Sequence, residues 1–164
     1  AFRQNIKGVK HDEFMEVAKS VIAFNHSRVY SFTRDLIKKL KGKGYYLLAV
    51  SHSPMEIVQE FSKKFGFDKT YGWVYEVGVD GVFTGRGLYE ERISDKAKIL
   101  KRVISMEELT LDGSVGVGDT EGDITFLKMV QTPVCFNPNK KLHTEAKKNG
   151  WRVVVERKDM IYEF

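Results

Sequence analysis

Apolar residues recur at helical spacing in the first part of the chain. Between Asp12 and Asn25 they stand three or four positions apart, and the same spacing returns before Gly42 and Gly44. This period places apolar side chains on one face of a helix, and a glycine after the last apolar position commonly ends it. The pattern therefore predicts two amphipathic helices before residue 45.

A continuous apolar run follows at residues 45–50, which is typical of a parallel strand that is buried on both faces. Directly after it, Pro54 follows Ser53, and Glu56 stands three residues after that serine. A serine, a proline at the first helical position and a glutamate in the first turn form a capping box. The sequence therefore predicts a strand that leads into a helix, which ends at Gly66.

The helical period breaks between Trp73 and Phe83. Valines surround the pair Asp80-Gly81 there, which is a strong hairpin signal. We therefore expect a β-hairpin flap over residues 73–84. Helices and strands are predicted to alternate from there to the end: a helix capped by Ser94, strand 114–118, helix 121–130, strand 132–136, a helix from Asn137 to Gly150 and strand 151–155.

This order of elements predicts an α/β protein. Strands that alternate with helices form a parallel sheet with right-handed crossovers, which one inserted hairpin interrupts here. The chain has 164 residues, of which 42% are hydrophobic and 12% aromatic, so it is long enough for a core and is not a disordered chain.

Charge and cysteine content narrow the partners and the location. The formal net charge is +5, but the lysines are spread over solvent faces of predicted helices without a nucleic-acid motif, so we expect no nucleic-acid partner. The apolar runs are shorter than the about 20 residues of a membrane span, and the opening residues have no secretory pattern. The single Cys135 is interpreted as buried strand filling. These features predict a cytoplasmic protein.

Two carboxylates that are four residues apart, Asp119 and Asp123, follow the predicted strand 114–118. The carboxyl ends of parallel strands are where such sheets bind ligands, and this spacing aims both side chains into one space. Magnesium suits this arrangement, since it is usually held by one or two carboxylates, waters and phosphate oxygens. Alternatively, Asp119 or Thr120 caps the next helix. The spacing alone leaves both readings open.

Ser51 and Lys96 are further candidates. If Ser53 takes the cap position, the hydroxyl of Ser51 is spare, and together with the backbone N–H groups of His52 and Ser53 it suits a phosphate. Lys96 lies in the first turn of a predicted helix, where the helix dipole disfavours a cation by about 0.3–1 kcal/mol. Each of these residues, considered alone, has an ordinary alternative. Ser51 can serve only in the turn, and Lys96 can be a lysine that simply faces solvent.

The order of these groups resembles the haloacid dehalogenase (HAD) superfamily, and the spacing resembles its phosphoserine-phosphatase-like branch (subfamily IB). Three segments are similar to its second, third and fourth motifs: 48–54, 95–100 and 117–123. Residues 137–142 and Gly150-Trp151 are similar to the tail of that branch, so the resemblance covers about residues 28–160. It implies a HAD-like Rossmannoid fold, a three-layer α/β arrangement with a parallel sheet, a helical cap and a flap.

The resemblance also implies a function. Such proteins are Mg²⁺-dependent hydrolases of small phosphomonoesters that act through an aspartyl-phosphate. By resemblance, Ser51 holds the transferring phosphoryl group, and Lys96 offsets charge on the nucleophile and the phosphate. The backbone N–H of His52 is expected beside that phosphoryl group from its position at the strand end. Asp119 and Asp123 are the implied magnesium ligands.

The chain departs from the family's pattern in two places. Many relatives have an Asn just before the second acid of the fourth motif, where this chain has Gly122. Family members also begin with a strand ending in Asp-x-Asp, which supplies the nucleophile and the general acid/base, and the 164 residues contain no Asp-x-Asp. We therefore expect Ala1 to be a truncation or cleavage point. Residues 1–27 are then the remnant of a helical cap, and residues 28–164 are the HAD-like core with its flap.

The absent strand would lie between strands 45–50 and 114–118, so its loss would split the sheet and leave two unpaired edges. An N-terminal fragment, or a strand lent by another molecule, is therefore an expected partner. Two other functions are alternatives to the enzyme. One is a catalytically silent HAD-like module that binds phosphate or a partner. The other is a receiver-like or nucleotide-binding domain, which is disfavoured because no glycine-rich phosphate loop follows a strand.

Overall fold

The computed structural model describes residues 2–25, 27–157 and 160–164. Ala1, where the predicted cap remnant begins, lies outside them. The chain forms two compact units, Ala1–Ser94 and Asp95–Phe164, and each is described by itself. The α/β class with parallel strands is confirmed. None of the helices in the described ranges combines the length and apolar character that crossing a membrane requires.

The first unit holds a sheet with the order β1-β2-β3, in which β1 and β2 run parallel and β2 and β3 antiparallel. Its described elements, in chain order, are α1 (Phe2–Ile6), α2 (His11–Asn25), α3 (Ser31–Gly42), β1 (Leu48–Pro54), α4 (Met55–Phe65), β2 (Lys69–Val77), β3 (Phe83–Leu88) and α5 (Glu90–Ile93).

Backbone hydrogen bonds join the segment between α1 and α2 to the β2–β3 hairpin. The N–H of Gly8 donates to the carbonyl oxygen of Phe83 at 3.0 Å, and the N–H of His11 donates to that of Gly81 at 2.9 Å. A small buried cluster lies beneath this contact: Ile6, Tyr75 and Phe83. The predicted turn pair Asp80-Gly81 lies between β2 and β3. The predicted domain boundary after residue 27 stays a prediction.

The strand β1 begins later and runs further than the predicted strand at 45–50. Its register with β2 extends from Leu48 opposite Lys69 to Pro54 opposite Trp73. The pairing with β2 therefore sets the ends of this strand, and the apolar run alone does not encode them.

The capping box predicted around Ser53 is wrong. Pro54 occupies the N-cap of α4 without a side-chain hydrogen bond, because Ser53 remains in the strand. The glutamate of the predicted box serves elsewhere: Glu56 Oε1 lies 3.7 Å from His11 Nε2. The predicted helix end is confirmed, with Gly66 in the left-handed conformation at φ 70°.

In the second unit the sheet has the order β4-β5-β6-β7; the first three strands run parallel, and β7 pairs antiparallel with β6. Its described elements are α6 (Lys96–Met106), β4 (Val115–Gly118), a 3₁₀ turn (Glu121–Asp123), α7 (Ile124–Leu127), β5 (Thr132–Phe136), α8 (Lys140–Asn149), β6 (Arg152–Arg157) and β7 (Met160–Glu163). The buried core of this unit consists of Leu127, Cys135, Leu142, Ala146 and Val153.

Two helices of this unit differ from their predicted bounds, and one strand was not predicted. The helix predicted at 121–130 is the 3₁₀ turn followed by the short α7, since the N–H of Gln131 donates to Ser114 Oγ at 3.0 Å and brings the chain into line with β5. The helix predicted from Asn137 begins at Lys140, because Asn137 has a φ of 44°, which a right-handed helix cannot include. The pattern does not predict β7.

Gly72 lies where β2 passes the junction of β1 and α4. A Cβ atom there would lie 2.7 Å from the Cα of Met55 and 3.0 Å from the carbonyl oxygen of Ser53. These backbone atoms cannot turn aside, so we expect Gly72→Ala to push the strand away and to lower the free energy of unfolding by about 1–3 kcal/mol. Urea denaturation followed by circular dichroism measures this loss.

Gly42→Ala is the matched control, because a Cβ atom at Gly42 meets nothing within 4 Å. Alanine is the better helix former, so this variant should be as stable as the parent or slightly more stable. If the two variants unfold at the same urea concentration, the backbone at Gly72 is not in close contact with Met55 and Ser53 in solution.

Candidate functional site

The loop after β4 is organised by the side chain of Asp123. Its Oδ2 accepts hydrogen bonds from the backbone N–H of Asp119 at 2.8 Å and of Thr120 at 3.0 Å. Thr120 and Asp123 together form a reciprocal capping box around the 3₁₀ turn. The capping alternative raised by the sequence is therefore realised by Thr120, with Asp123 as its partner.

Gly118 makes the close approach of this side chain to the end of the strand possible. A Cβ atom at Gly118 would lie 2.5 Å from the Cβ of Asp123 and 2.8 Å from its Cγ. Real side chains do not approach that closely, so a larger residue at Gly118 would displace the carboxylate. The glycine before the first acid is thus needed for the position of the second acid.

Lys96 is the first residue of α6, and the cap of that helix differs from the prediction. Asp95 occupies the N-cap, and its Oδ1 accepts from the N–H groups of Ala97 at 3.0 Å and Lys98 at 3.2 Å. The predicted cap by Ser94 is wrong, since its hydroxyl donates to the carbonyl oxygen of Glu91. The carboxylate of Asp95 has the right sign for the positive end of the helix.

The ammonium group of Lys96 meets the second acid of the loop. Lys96 Nζ donates to Asp123 Oδ1 at 2.5 Å, and the two side chains are only 13% and 2% exposed. Two of the predicted site residues are therefore brought together as a nearly buried ion pair. This pair explains the placement of a lysine in the first turn of a helix.

The two acids of the loop differ in their electrostatics. Burial raises the pKa of Asp123, but the hydrogen bonds from Lys96, Thr120 and Asp119 outweigh it, so this pKa lies below its ordinary value. The pKa of Asp119 is raised, first because its carboxyl group is partly shielded from water and then because Asp123 carries a negative charge nearby. Asp123 is therefore held as an anion, whereas burial and the nearby charge of Asp123 make the anionic form of Asp119 less favourable.

This pair fits a magnesium ion. Asp119 is exposed at the end of β4, whereas both oxygens of Asp123 already accept hydrogen bonds. A cation at Asp119 would relieve the repulsion that raises the pKa of that carboxyl group. Within the ranges that the structure describes, no group of three metal-binding side chains occurs, so water and phosphate oxygens would supply the other ligands.

Ser51 and His52 belong to the first unit. Ser51 is half-buried in β1, and its Oγ accepts the N–H of Ser53 at 3.1 Å. The predicted arrangement, in which Ser53 caps the helix and offers its N–H to phosphate, is therefore not what the structure has. A serine hydroxyl that accepts one hydrogen bond still has its own proton to donate.

The side chain of His52 has a structural contact. Its Nε2 lies 3.1 Å from the carbonyl oxygen of Ile93, and its ring centroid lies 6.0 Å from that of Trp73. The carbonyl can only accept, so Nε2 carries the proton in this contact. The imidazole is thus directed toward the end of α5.

Further residues that were not predicted for the site hold the loop from outside. Asn139 caps α8 and donates its backbone N–H to the carbonyl oxygen of Asp119 at 2.8 Å. Its side chain donates to Glu121, which also accepts from Lys141 at 3.0 Å. An Asn placed three residues before Leu142 is a recognisable cap signal, but nothing in the sequence indicates its reach to the loop.

Comparison with known proteins gives the family. The model of the haloacid dehalogenase-like hydrolase family matches residues 1–128, so it begins before residue 28, from which the motifs were traced, and ends before the segment at 137–142. A phosphoserine phosphatase of Mycobacterium tuberculosis is 28% identical over 140 residues, which are 84% of this chain and 44% of that protein. A histidinol-phosphatase of Neisseria meningitidis is 27% identical over 148 residues, 88% of this chain and 64% of that protein.

Solved structures give the same result. A substrate-bound phosphoserine phosphatase complex is 28% identical, with a TM-score of 0.60 over 68% of this chain and 53% of the other. A phospho-aspartyl intermediate analogue of phosphoserine phosphatase shares the fold, with 23% identity and a TM-score of 0.67 over 96% of this chain and 72% of the other. The chain spans less than half the length of the mycobacterial relative. Because the family model matches well over half of its residues, the chain belongs to the haloacid dehalogenase-like hydrolase family.

Proposed function

We propose that this chain carries the metal site and most of the phosphate site of a Mg²⁺-dependent phosphomonoester hydrolase of the phosphoserine-phosphatase-like type. The observation that carries the proposal is the nearly buried ion pair of Lys96 and Asp123 beside the exposed carboxylate of Asp119. Phosphoryl transfer depends mainly on positioning and charge neutralisation, and a fixed cation next to a free carboxylate offers both.

Each residue has a separate task in this proposal. Lys96 has three N–H donors, so one can remain on Asp123 while the others stabilise charge on the nucleophile and the phosphate. Ser51 donates its hydroxyl proton to the transferring phosphoryl group, with the backbone of His52 beside it. Asp119 and Asp123 hold Mg²⁺, which when bound offsets the charge of the phosphate oxygens.

In this proposal the nucleophile lies outside the 164 residues, since they contain no Asp-x-Asp. In the proposed reaction an aspartate oxygen attacks phosphorus, the P–O bond to the substrate alcohol breaks, and water then hydrolyses the aspartyl-phosphate. An N-terminal segment or a strand lent by another molecule would supply that aspartate.

The names of the relatives narrow the substrate class. Phosphoserine and histidinol phosphate are both phosphate esters of small amino alcohols. We propose the same class for this chain.

A second candidate is a catalytically silent module that binds phosphate or a partner. The absence of Asp-x-Asp favours it. The reading frame upstream of the codon for Ala1 separates the two: an apolar strand ending in Asp-x-Asp supports the enzyme, and its absence supports the module.

Replacing Asp119 by Asn should remove the charge of one of the two proposed metal ligands. We expect the affinity of the chain for Mn²⁺, used as a paramagnetic stand-in for Mg²⁺, to fall at least about tenfold, because even outer residues of metal sites contribute that much. Electron paramagnetic resonance of free Mn²⁺ measures the affinity. In a form of the protein with the nucleophile strand, the same variant should lose metal-dependent turnover of phosphoserine.

Asp112→Asn is the control for the change in charge. Asp112 is exposed and precedes β4 by three positions, outside the loop. The Asp112→Asn variant should bind Mn²⁺ as tightly as the parent does. If Asp119→Asn retains parental binding and turnover, the assignment of the metal site is wrong.

Gly118→Ala should disturb the same site through Asp123. Since the added methyl group would lie 2.8 Å from Asp123 Cγ, we expect the carboxylate to move and both thermal stability and Mn²⁺ affinity to fall. The matched variant is Gly122→Ala, where a Cβ atom meets only Thr120 Oγ1, at 3.7 Å. Differential scanning fluorimetry with and without Mn²⁺ compares the two, and equal metal-induced shifts in Tm would contradict the packing argument.

A further inference from the structure

Three polar side chains, Glu121, Asn139 and Lys141, form a cluster beside the loop that holds Asp119 and Asp123; we call it the clamp. Asn139 Nδ2 donates to Glu121 Oε2, and Lys141 Nζ donates to Glu121 Oε1 at 3.0 Å. Each oxygen of the glutamate thus has a donor of its own.

One side of the clamp is anchored in the core. Asn139 Oδ1 accepts the N–H of Leu142 at 2.9 Å and so caps α8. Two side chains of that helix, Leu142 and Ala146, are fully buried. The start of α8 is therefore a fixed point, and Asn139 stands on it.

The other side of the clamp is the loop between the two proposed metal ligands. Glu121 lies midway between Asp119 and Asp123 in sequence, and the backbone N–H of Asn139 donates to the carbonyl oxygen of Asp119 at 2.8 Å. The carboxylate of Asp123 ties the loop from inside, and the clamp ties it from outside. Only the inner tie is buried.

The clamp is unsuited to a stabilising role or to metal binding. Exposed ion pairs contribute little to folding, because water screens them and long side chains lose freedom. The carboxylate of Glu121 is turned toward Asn139 and Lys141, and it makes no contact with the carboxylates of Asp119 and Asp123 among its hydrogen bonds. The role that remains for the clamp is to fix the position of the loop that carries Asp119.

We propose that the hydrogen bond between Glu121 and Asn139 positions Asp119 and thereby determines the metal affinity of the site. This inference rests on the proposed function, because it takes Asp119 and Asp123 as the metal ligands. It adds two positioning residues that do not contact the metal and to which the sequence analysis gave no role in the site.

An exchange of the two groups tests the proposal. Asn139→Asp removes the amide donor, and Glu121→Gln leaves a single neutral oxygen for the two donors Asn139 and Lys141, so each change removes or weakens the amide–carboxylate bond. The double variant rebuilds that bond with donor and acceptor reversed. Asn139→Asp keeps an oxygen to cap α8. We expect each single variant to bind Mn²⁺ about tenfold more weakly, as outer residues of metal sites do. The double variant should return to within about twofold of the parent.

The single variants distinguish positioning from simple charge effects. Asn139→Asp adds a negative charge near the site, so electrostatics alone would tighten Mn²⁺ binding, whereas loss of the clamp weakens it. If Asn139→Asp binds as tightly as the parent or more tightly, or if the double variant does not recover, the proposal is overturned. Asn139→Ser, which keeps a cap oxygen but is shorter and lacks the amide group that donates to Glu121, replaces Asn139→Asp if circular dichroism shows that variant unfolded.

Asp119→Asn belongs in the same titration. If the parent and Asp119→Asn bind Mn²⁺ alike, the metal site of the proposed function is wrong. If Asp119→Asn loses binding while the clamp variants bind like the parent, the metal site stands and only the clamp is refuted.

Discussion

The candidate site depends on the burial of one negative charge. Asp123 is 1% exposed, and a carboxylate that leaves water without compensation costs several kcal/mol. The compensation comes from three places: the ammonium group of Lys96, the backbone N–H of Asp119 and that of Thr120. These donors belong to the start of α6, the end of β4 and the loop after it, so one carboxylate is satisfied only when all three elements are in place. The site is therefore organised by the fold itself, which is the condition for electrostatic preorganisation.

The strands next to the carboxylate of Asp123 carry small residues, which allow close packing. Gly118 leaves room for Asp123, and its register partner on β5 is Cys135, which is fully buried. Burial, together with the charge of Asp123, raises the pKa of Cys135 to about 11, so the thiol stays neutral at physiological pH. A small neutral side chain at this position adds no second negative charge near Asp123. The interpretation of Cys135 as strand filling is confirmed.

The sequence predicts the helices and strands better than it predicts their ends. Period and apolar runs locate α2, α4, α6 and the strands, because one buried face leaves a pattern that local sequence carries. The caps at Ser53 and Ser94 are wrong, since β1 extends through Ser53 by pairing with β2, and Asp95 is the stronger acceptor for α6. The spacing of Asp119 and Asp123 indicates a shared site. It does not indicate that Asp123 is committed to Lys96 and the backbone, because such commitments depend on residues distant in sequence.

Neither packing nor backbone strain explains why residue 122 is a glycine. A Cβ atom there would meet only Thr120 Oγ1, at an ordinary contact distance of 3.7 Å, and Gly122 is not among the residues with positive φ. The fold therefore has room for a side chain at position 122. Gly118 contrasts with it, since its hydrogen atom cannot be replaced without moving Asp123. Each of these two glycines directly precedes one of the acids, Gly118 before Asp119 and Gly122 before Asp123. Only the first of the two is required by the packing of the site, because it leaves room for the side chain of Asp123.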